Sequence, residues 1–269
     1  MTSPRLVVFD LDHTLLLTGS RITPEAAAGV AALARDGLTV ALASARLDES
    51  MAVVNQAIGD PVHRISYNGA LTTLADGTVV REVGFTVTAE LGAVLARFTE
   101  QGTTNLYLDD GRWLAIGRPE AIAREEHDTW CVASSHAASA TAGELEGLRC
   151  RKILCEGPDE LVADLDAAVA RMPGLHLTHS GMGLHDIWSA SSGKGNALRA
   201  LCEALGISPD EVIAAGDSDT DVPMLDLAGT SIGILPCAAR VREVADHLVE
   251  GAGSEALFAT VRELAGLPR

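Results

Sequence analysis

Short continuous apolar runs that stop at polar turns, with helical stretches between them, constrain this chain more than any other feature. Leu6–Phe9 is one such run and ends at Asp10; Leu38–Leu42 is another and leads into Ser44-Ala45-Arg46. Segments apolar at every position suit strands buried on both faces, whereas half-exposed strands alternate. Between the two runs, Thr23–Arg35 carries Ala, Val and Leu at helical spacing. Thr23 suits the N-cap, Pro24 the first helical position, and Gly37 the stop. Arg64–Tyr67 reads as a third strand closing on the turn Asn68-Gly69. This rhythm predicts an α/β fold with a Rossmann-like, doubly wound parallel sheet. Ligands of such sheets gather beyond the carboxyl ends of the strands.

The rhythm changes near Gly84 and returns after Trp188. Inside that span the pattern predicts helices at Thr88–Glu100, near Glu120–Trp130 and at Asp159–Arg171. Strands are expected at Asn105–Leu108, Trp113–Ile116, Arg151–Cys155, Leu175–Thr178 and Leu184–Trp188. Strands broken by helices, with a hairpin, point to an inserted α+β domain with an antiparallel sheet. From Ser191-Ser192-Gly193 the first rhythm resumes, through helix Lys194–Leu205, strand Glu211–Ala215, helix Pro223–Ala228, strand Ser231–Leu235 and two closing helices. The expected organisation is therefore a first core segment at 1–83, an insert at 84–188 and a second core segment at 189–269.

Charge narrows the function. A net charge of −17 repels nucleic acid and anionic membranes. Small anionic ligands remain possible where a metal ion or a few cations correct the field locally. All basic residues are Arg except Lys152 and Lys194. The five cysteines show no CxxC pair and no zinc-ligand spacing with His, as expected of free thiols in a reducing cytoplasm. No apolar run reaches bilayer length and no signal-peptide pattern opens the chain, so a cytoplasmic location is expected.

Chemistry concentrates at strand ends. Asp10 and Asp12 stand two apart directly after a buried strand, and Asp217, Asp219 and Asp221 follow the apolar run Val212–Ala215. Acids so placed repel one another unless a cation sits among them, and a hard ion such as Mg²⁺ needs only a few carboxylates besides water and phosphate. Either group alone could instead be a loop acid or a helix-terminal one. Ser44 at a strand end can donate to a phosphate oxygen, and Lys194 at a helix start can neutralise one. Each is also an ordinary turn or surface residue when taken singly.

Together, Phe9-Asp10-Leu11-Asp12-His13-Thr14, Ser44-Ala45-Arg46, Lys194-Gly195-Asn196-Ala197-Leu198 and Gly216-Asp217-Ser218-Asp219-Thr220-Asp221 resemble the four motifs of haloacid dehalogenase superfamily phosphatases. Asn68-Gly69-Ala70, the position of the insert and Val222-Pro223-Met224-Leu225 are similar to the Cof-type branch, whose cap belongs to class IIB. Arg151-Lys152-Ile153-Leu154 resembles a strand of such caps. The resemblance implies that Asp10 is a nucleophile and Asp12 a general acid and base. It implies Mg²⁺ held by Asp10, the Asp12 carbonyl, Asp217 and Asp221, and phosphate held by Ser44 and Lys194. Arg46 and Asn68, at core strand ends, are the expected substrate contacts. The implied reaction is hydrolysis of a small phosphorylated metabolite, such as a sugar phosphate, through an aspartyl-phosphate.

His13 stands where the family usually has Gly, Ala45 also replaces a Gly, and Thr220 replaces a common Asn. Two other readings stay open. A sugar phosphomutase would need a second cationic phosphate site, for which Arg112, Arg118, Arg124, Arg149 and Lys152 are available. A catalytically silent phospho-ligand sensor would need neither Asp10 nor Asp12. Asp109-Asp110-Gly111, Ser180-Gly181-Met182-Gly183 and His185 are further loop-like candidates for touching substrate. Oligomeric state is not legible.

Overall fold

The computed structural model describes residues 3–17, 21–179 and 183–268. Its contacts divide into two compact units, Met1–Glu82 with Gly193–Arg269, and Val83–Ser192. The first core segment holds β1 (Leu6–Asp10), α1 (Pro24–Arg35), β2 (Thr39–Ala43), α2 (Asp48–Ile58), β3 (His63–Ser66), β4 (Leu71–Thr73) and β5 (Val79–Glu82). The second unit runs β6 (Phe85–Thr86), α3 (Ala89–Gln101), β7 (Thr103–Leu108), β8 (Trp113–Gly117), α4 (Pro119–Thr129) and β9 (Ser135–Ala137). It continues through α5 (Ala142–Leu145), β10 (Arg149–Glu156), α6 (Asp159–Val169), β11 (Leu175–His179) and β12 (Leu184–Ser189). The chain then returns through α7 (Lys194–Leu205), β13 (Val212–Gly216), α8 (Val222–Leu225), β14 (Thr230–Leu235), α9 (Ala239–Val244), β15 (His247–Glu250) and α10 (Glu255–Ala265).

The core sheet has the order β15-β14-β13-β1-β2-β3-β4-β5, and β15 through β3 are parallel. All five residues of β1 and of β13 are buried, as their unbroken apolar runs require. Phe9 lies opposite Ala215 and Asp10 opposite Ala43, so the ends of β1, β13 and β2 stand side by side. The order turns around β1, with β2 on one side and β13 on the other. That is where a crevice opens in a doubly wound sheet.

Helix α1 forms as its sequence dictates. Thr23 Oγ1 accepts from Ala26 N at 3.1 Å, Pro24 opens the helix, and Ala26, Ala27, Val30, Ala31 and Leu33 are buried. Its Gly29 lies against α10: a Cβ there would fall 2.6 Å from the Phe258 ring.

The core departs from expectation in two places. The sheet is not wholly parallel, because β4 and β5 add an antiparallel edge pair. Tyr67 (φ 50°), Asn68 (φ 53°) and Gly69 (φ 87°) are successive left-handed residues that reverse the chain. For the same reason β3 ends at Ser66 rather than Tyr67. Helix α2 was not anticipated, although Met51, Val54 and Ile58 supply its buried stripe. Two helices close the chain as expected, with β15 between them.

The second unit has a sheet of order β11-β12-β10-β7-β8-β9, with β6 paired to β10. Its pairings are antiparallel except β8 with β9. Leu91, Leu95 and Phe98 of α3 and Leu165 of α6 pack with Leu106, Ile153 and Ile187 from the sheet. The 84–188 insert falls inside this unit, which extends to Ser192. The short β6, β9 and α5 carry too few residues for a readable period. Ser180–Met182 lie outside the described residues. No helix among the described residues is long and apolar enough to cross a membrane.

Candidate active site

The site is assembled at the carboxyl ends of β1 and β13 and the start of α7, all within the first unit. Asp10 closes β1 and is 5% exposed; Lys194 opens α7 and is 2% exposed. Lys194 Nζ donates to Asp10 Oδ1 and to Asp221 Oδ1, both at 2.5 Å. Asp221 is wholly buried, and its Oδ2 accepts from Asp217 N (3.0 Å), Ser218 N (2.9 Å) and Ser218 Oγ (2.9 Å). Asp221 precedes α8 but makes no side-chain cap for it, so its carboxylate serves the loop rather than the helix. Asp217 Oδ1 accepts from Thr14 Oγ1 at 3.3 Å.

Charge at this point does not balance. Three carboxylates, Asp10, Asp217 and Asp221, bring oxygens within 4.8 Å of one another around one ammonium. Burial, then the Asp221 charge, pushes the Asp10 carboxyl well above its ordinary range, against the pull of Lys194. Burial and Asp221 push Asp217 up to about 6, opposed by His13, Lys194 and Thr14. Burial works against the Lys194 charge, but Asp10 and Asp221 outweigh it and hold the ammonium above the usual lysine value. Protonated Lys194 therefore persists, and the surplus negative charge lies on the acids. A hard divalent cation fits this donor set: it takes oxygen ligands, and its charge offsets the crowding that raises these carboxyls.

Asp12 is placed differently from the other acids. Its carboxylate is held by Arg46 through Nε to Oδ2 at 2.9 Å and Nη2 to Oδ1 at 2.8 Å. Arg46 Nη1 also donates to Ser50 Oγ at 3.3 Å. Ser44, buried at the end of β2, accepts from Arg46 N through Oγ at 3.1 Å. Asn68 N donates to Ser44 O at 2.9 Å, and Gly193 N donates to Asn68 O at 2.8 Å, tying the β3 turn to the start of α7. Gly69 is required beside it, since a Cβ there would fall 2.4 Å from Gly193 O. Asn68 Oδ1 is buried without a hydrogen-bond partner among the described residues.

The structure thus gathers Asp10, Asp217, Asp221 and Lys194 into one cluster, and ties Asp12, Arg46, Ser44 and Asn68 into a neighbouring chain of contacts. The Asp12 carboxylate is not part of the acid cluster. His13 has φ 65°, the left-handed region that Gly adopts freely and His tolerates, which accounts for the position of this departure. Ala45 is not left-handed, so that position accepts a side chain. Thr220 Oγ1 lies 2.9 Å from Ser218 Oγ, beside the Asp221 loop.

Several supporting residues were not anticipated. Asp48 receives Arg64 Nε (2.9 Å) and Nη2 (3.0 Å) and Ser66 Oγ (2.7 Å), and Glu49 receives Tyr67 Oη (3.0 Å). These bonds brace α2 against β3 and its turn. Nothing in their spacing announces them, whereas Thr14 and Ser218 lie inside the acidic motifs and were within reach. In the second unit, Asp109 pairs with Arg149 and Asp110 with Arg112. His185 Nδ1 lies 2.7 Å from His179 Nδ1.

Residues 7–258 match the family of haloacid dehalogenase-like hydrolases. Among solved structures, a haloacid dehalogenase-like hydrolase from B. subtilis superposes with a TM-score of 0.81 at 19% identity, covering 97% of this chain and 99% of that one. A subclass IIB sugar phosphatase superposes with a TM-score of 0.76 at 16% identity, covering 96% and 98%. At these identities the likeness is one of fold. Among curated relatives, the phosphoglycolate phosphatase of Methanopyrus kandleri is 37% identical over 71 residues, 26% of this chain and 31% of that protein. The phosphoserine phosphatase of Halobacterium salinarum is 56% identical over 43 residues, 16% of this chain and 20% of that protein. The chain spans about a third of the length of the first of these relatives.

Proposed function

Because the chain belongs to the haloacid dehalogenase-like hydrolases, as its match over residues 7–258 shows, we propose that it is a magnesium-dependent phosphatase acting on a small phosphomonoester. The observation that carries this reading is the buried cluster in which three carboxylates surround Lys194 at adjacent strand ends. Phosphatases stand among the relatives whose segments it resembles. Asp10, Asp217 and Asp221 would hold Mg²⁺, with the Asp12 carbonyl the expected further ligand, and the ion would offset the negative charge gathered there.

In this reading an Asp10 oxygen attacks phosphorus. The new O–P bond forms as the bond to the alcohol oxygen breaks, and that oxygen takes a proton from Asp12. Asp12 then accepts a proton from water, whose oxygen attacks the same phosphorus, releasing phosphate and restoring Asp10. Lys194 and Ser44 hold the phosphoryl oxygens in line, which is most of what phosphoryl transfer asks of a protein. Arg46 and Asn68 meet the rest of the substrate.

No observation favours a mutase. Arg112, Arg118, Arg124, Arg149 and Lys152 each pair with a carboxylate: Asp110, Glu156 for the next two, Asp109 and Asp186. They form no open cationic set for a second phosphate. Release of inorganic phosphate from 4-nitrophenyl phosphate with Mg²⁺, and its loss in Asp10→Asn, is the expected result. Turnover retained by Asp10→Asn would refute the mechanism.

A further inference from the structure

In the phosphatase reading above, on which this inference rests, Ser44 and Lys194 hold the phosphoryl oxygens from two different elements of the first unit. Ser44 follows β2 and Lys194 opens α7. The turn Tyr67-Asn68-Gly69 stands between them. Tyr67 N donates to Arg46 O at 2.8 Å, and Asn68 N donates to Ser44 O at 2.9 Å. On its other side the same turn receives α7: Gly193 N donates to Asn68 O at 2.8 Å. Asn68 is thus bonded through its backbone both to Ser44 and to the residue before Lys194.

The turn keeps a conformation that its side chains do not favour. Tyr67 (φ 50°) and Asn68 (φ 53°) are left-handed, as is Gly69 (φ 87°). That region is costly for Tyr, milder for Asn and open to Gly. Such backbone persists where surrounding contacts over-determine it. Gly69 has a second reason to lack a side chain, because a Cβ there would collide with the Gly193 carbonyl carbon and oxygen. That carbonyl accepts the first hydrogen bond of α7, from Ala197 N at 3.1 Å. It is also bonded to Lys194, so it cannot move aside without carrying the lysine with it. Helix α7 has no side-chain cap at Gly193, and Gly195 is already packed against the Pro223 carbonyl. The start of α7 therefore has little room to give.

We propose that this turn is the positioning element of the phosphate site: it sets the separation of Ser44 and Lys194, and Gly69 is the residue on which that separation depends. The demand is greatest at the transition state. There the three equatorial oxygens spread around phosphorus, and both holders must meet them at once for in-line attack. A tetrahedral phosphate can lean on either holder alone. A displaced Lys194 thus costs more in the transition state than in the ground state, which is the difference that catalysis depends on.

The test compares Gly69→Ala with Gly206→Ala in Mg²⁺. Gly206 ends α7, is left-handed too (φ 63°), and has nothing within 4 Å of where a Cβ would stand. Gly206→Ala therefore carries the backbone cost without the collision. Thermal melts give the folded fraction, and hydrolysis of 4-nitrophenyl phosphate gives kcat. Inhibition by orthovanadate, which adopts the trigonal-bipyramidal shape of the transition state, is set against inhibition by inorganic phosphate. Gly69→Ala should lower kcat per folded molecule by at least about tenfold and raise the vanadate Ki by about tenfold more than the phosphate Ki. Gly206→Ala should lower the melting temperature and leave kcat and the ratio of the two Ki values within about twofold. A smaller fall in Gly69→Ala, an equal rise in its two Ki values, or the same loss in Gly206→Ala overturns the proposal. Should Gly69→Ala fail to fold, the wild type decides. Exchange of the Gly193 amide hydrogen should slow more with vanadate, which engages both ends of the link, than with phosphate. Equal slowing, or none on binding, overturns the proposal. A wild type that neither hydrolyses the ester nor binds vanadate refutes the phosphatase reading itself, and this proposal with it.

Discussion

The chain has two lysines, and the two units use them in opposite ways. Lys194 lies among Asp10, Asp217 and Asp221, one ammonium against three carboxylates at the ends of parallel strands. Lys152 lies within β10, paired with Asp186 at 3.0 Å and with its ammonium 5.2 Å from the centre of the Tyr107 ring. Glu125 is near as well, and burial raises its carboxyl against the pull of Lys152 and of the Tyr107 hydroxyl. A buried group of charges that closes on itself is structural. A buried group left with surplus charge is finished only when something binds, and perturbed carboxyls at strand ends mark such places.

The largest effect that would break this comparison is on turnover. Lys194→Met should lower kcat by about 10²–10³-fold or more, the scale of losing one preorganised charge donor at a transition state. A loss below tenfold would make Lys194 no more than a structural cation. Lys152→Met should act on the fold instead. Removing the ammonium that faces buried Asp186 is expected to cost about 3–5 kcal/mol, read from urea unfolding, with kcat per folded molecule within about threefold. A large fall in kcat at unchanged stability would move Lys152 into the chemistry.

How far the sequence reached follows the same division. Residues close together in the chain were legible: Thr23 and Pro24 announce α1, and the acids after β1 and β13 announce the site. Asp221 was legible as an acid but not as the group that shares Lys194 with Asp10, because the pairing spans 27 and 184 positions. The Arg46–Asp12 clamp joins residues 34 apart on neighbouring strand ends, and only the register of β1 with β2 sets it. The antiparallel edge was missed for a different reason. Tyr67 and Asn68 take the left-handed conformation that tertiary contacts impose, and Tyr carries no sign of it in sequence. Arg64, Ser66, Asp48, Glu49 and Tyr67 are ordinary surface types whose partners come from folding alone.

Two smaller effects sharpen the picture of the first unit away from its chemistry. Gly29→Ala should destabilise by about 1–3 kcal/mol, the usual cost of overpacking, because its methyl would fall 2.6 Å from the Phe258 ring. A neutral result in thermal melts would mean that α10 shifts freely over α1. The smallest effect concerns His63, whose pKa burial lowers from 6.5, with Asp76 opposing, while Nδ1 accepts from Ala75 N at 3.2 Å. The folded state thus binds fewer protons than the unfolded one. This contribution to stability is complete above pH 6.5 and declines as pH falls below it toward the folded value. His63→Gln should flatten that part of the stability–pH curve, and an unchanged slope would assign it to other groups.

The most direct measurement of the central claim is to trap the reaction midway. Protein mixed with a phosphomonoester and Mg²⁺, quenched in acid and digested, should carry acid-stable, base-labile phosphate on the peptide containing Asp10. The same label should be absent from Asp10→Asn. Hydrolysis that proceeds with phosphate on another residue, or with Asp10→Asn as active as the wild type, would contradict it.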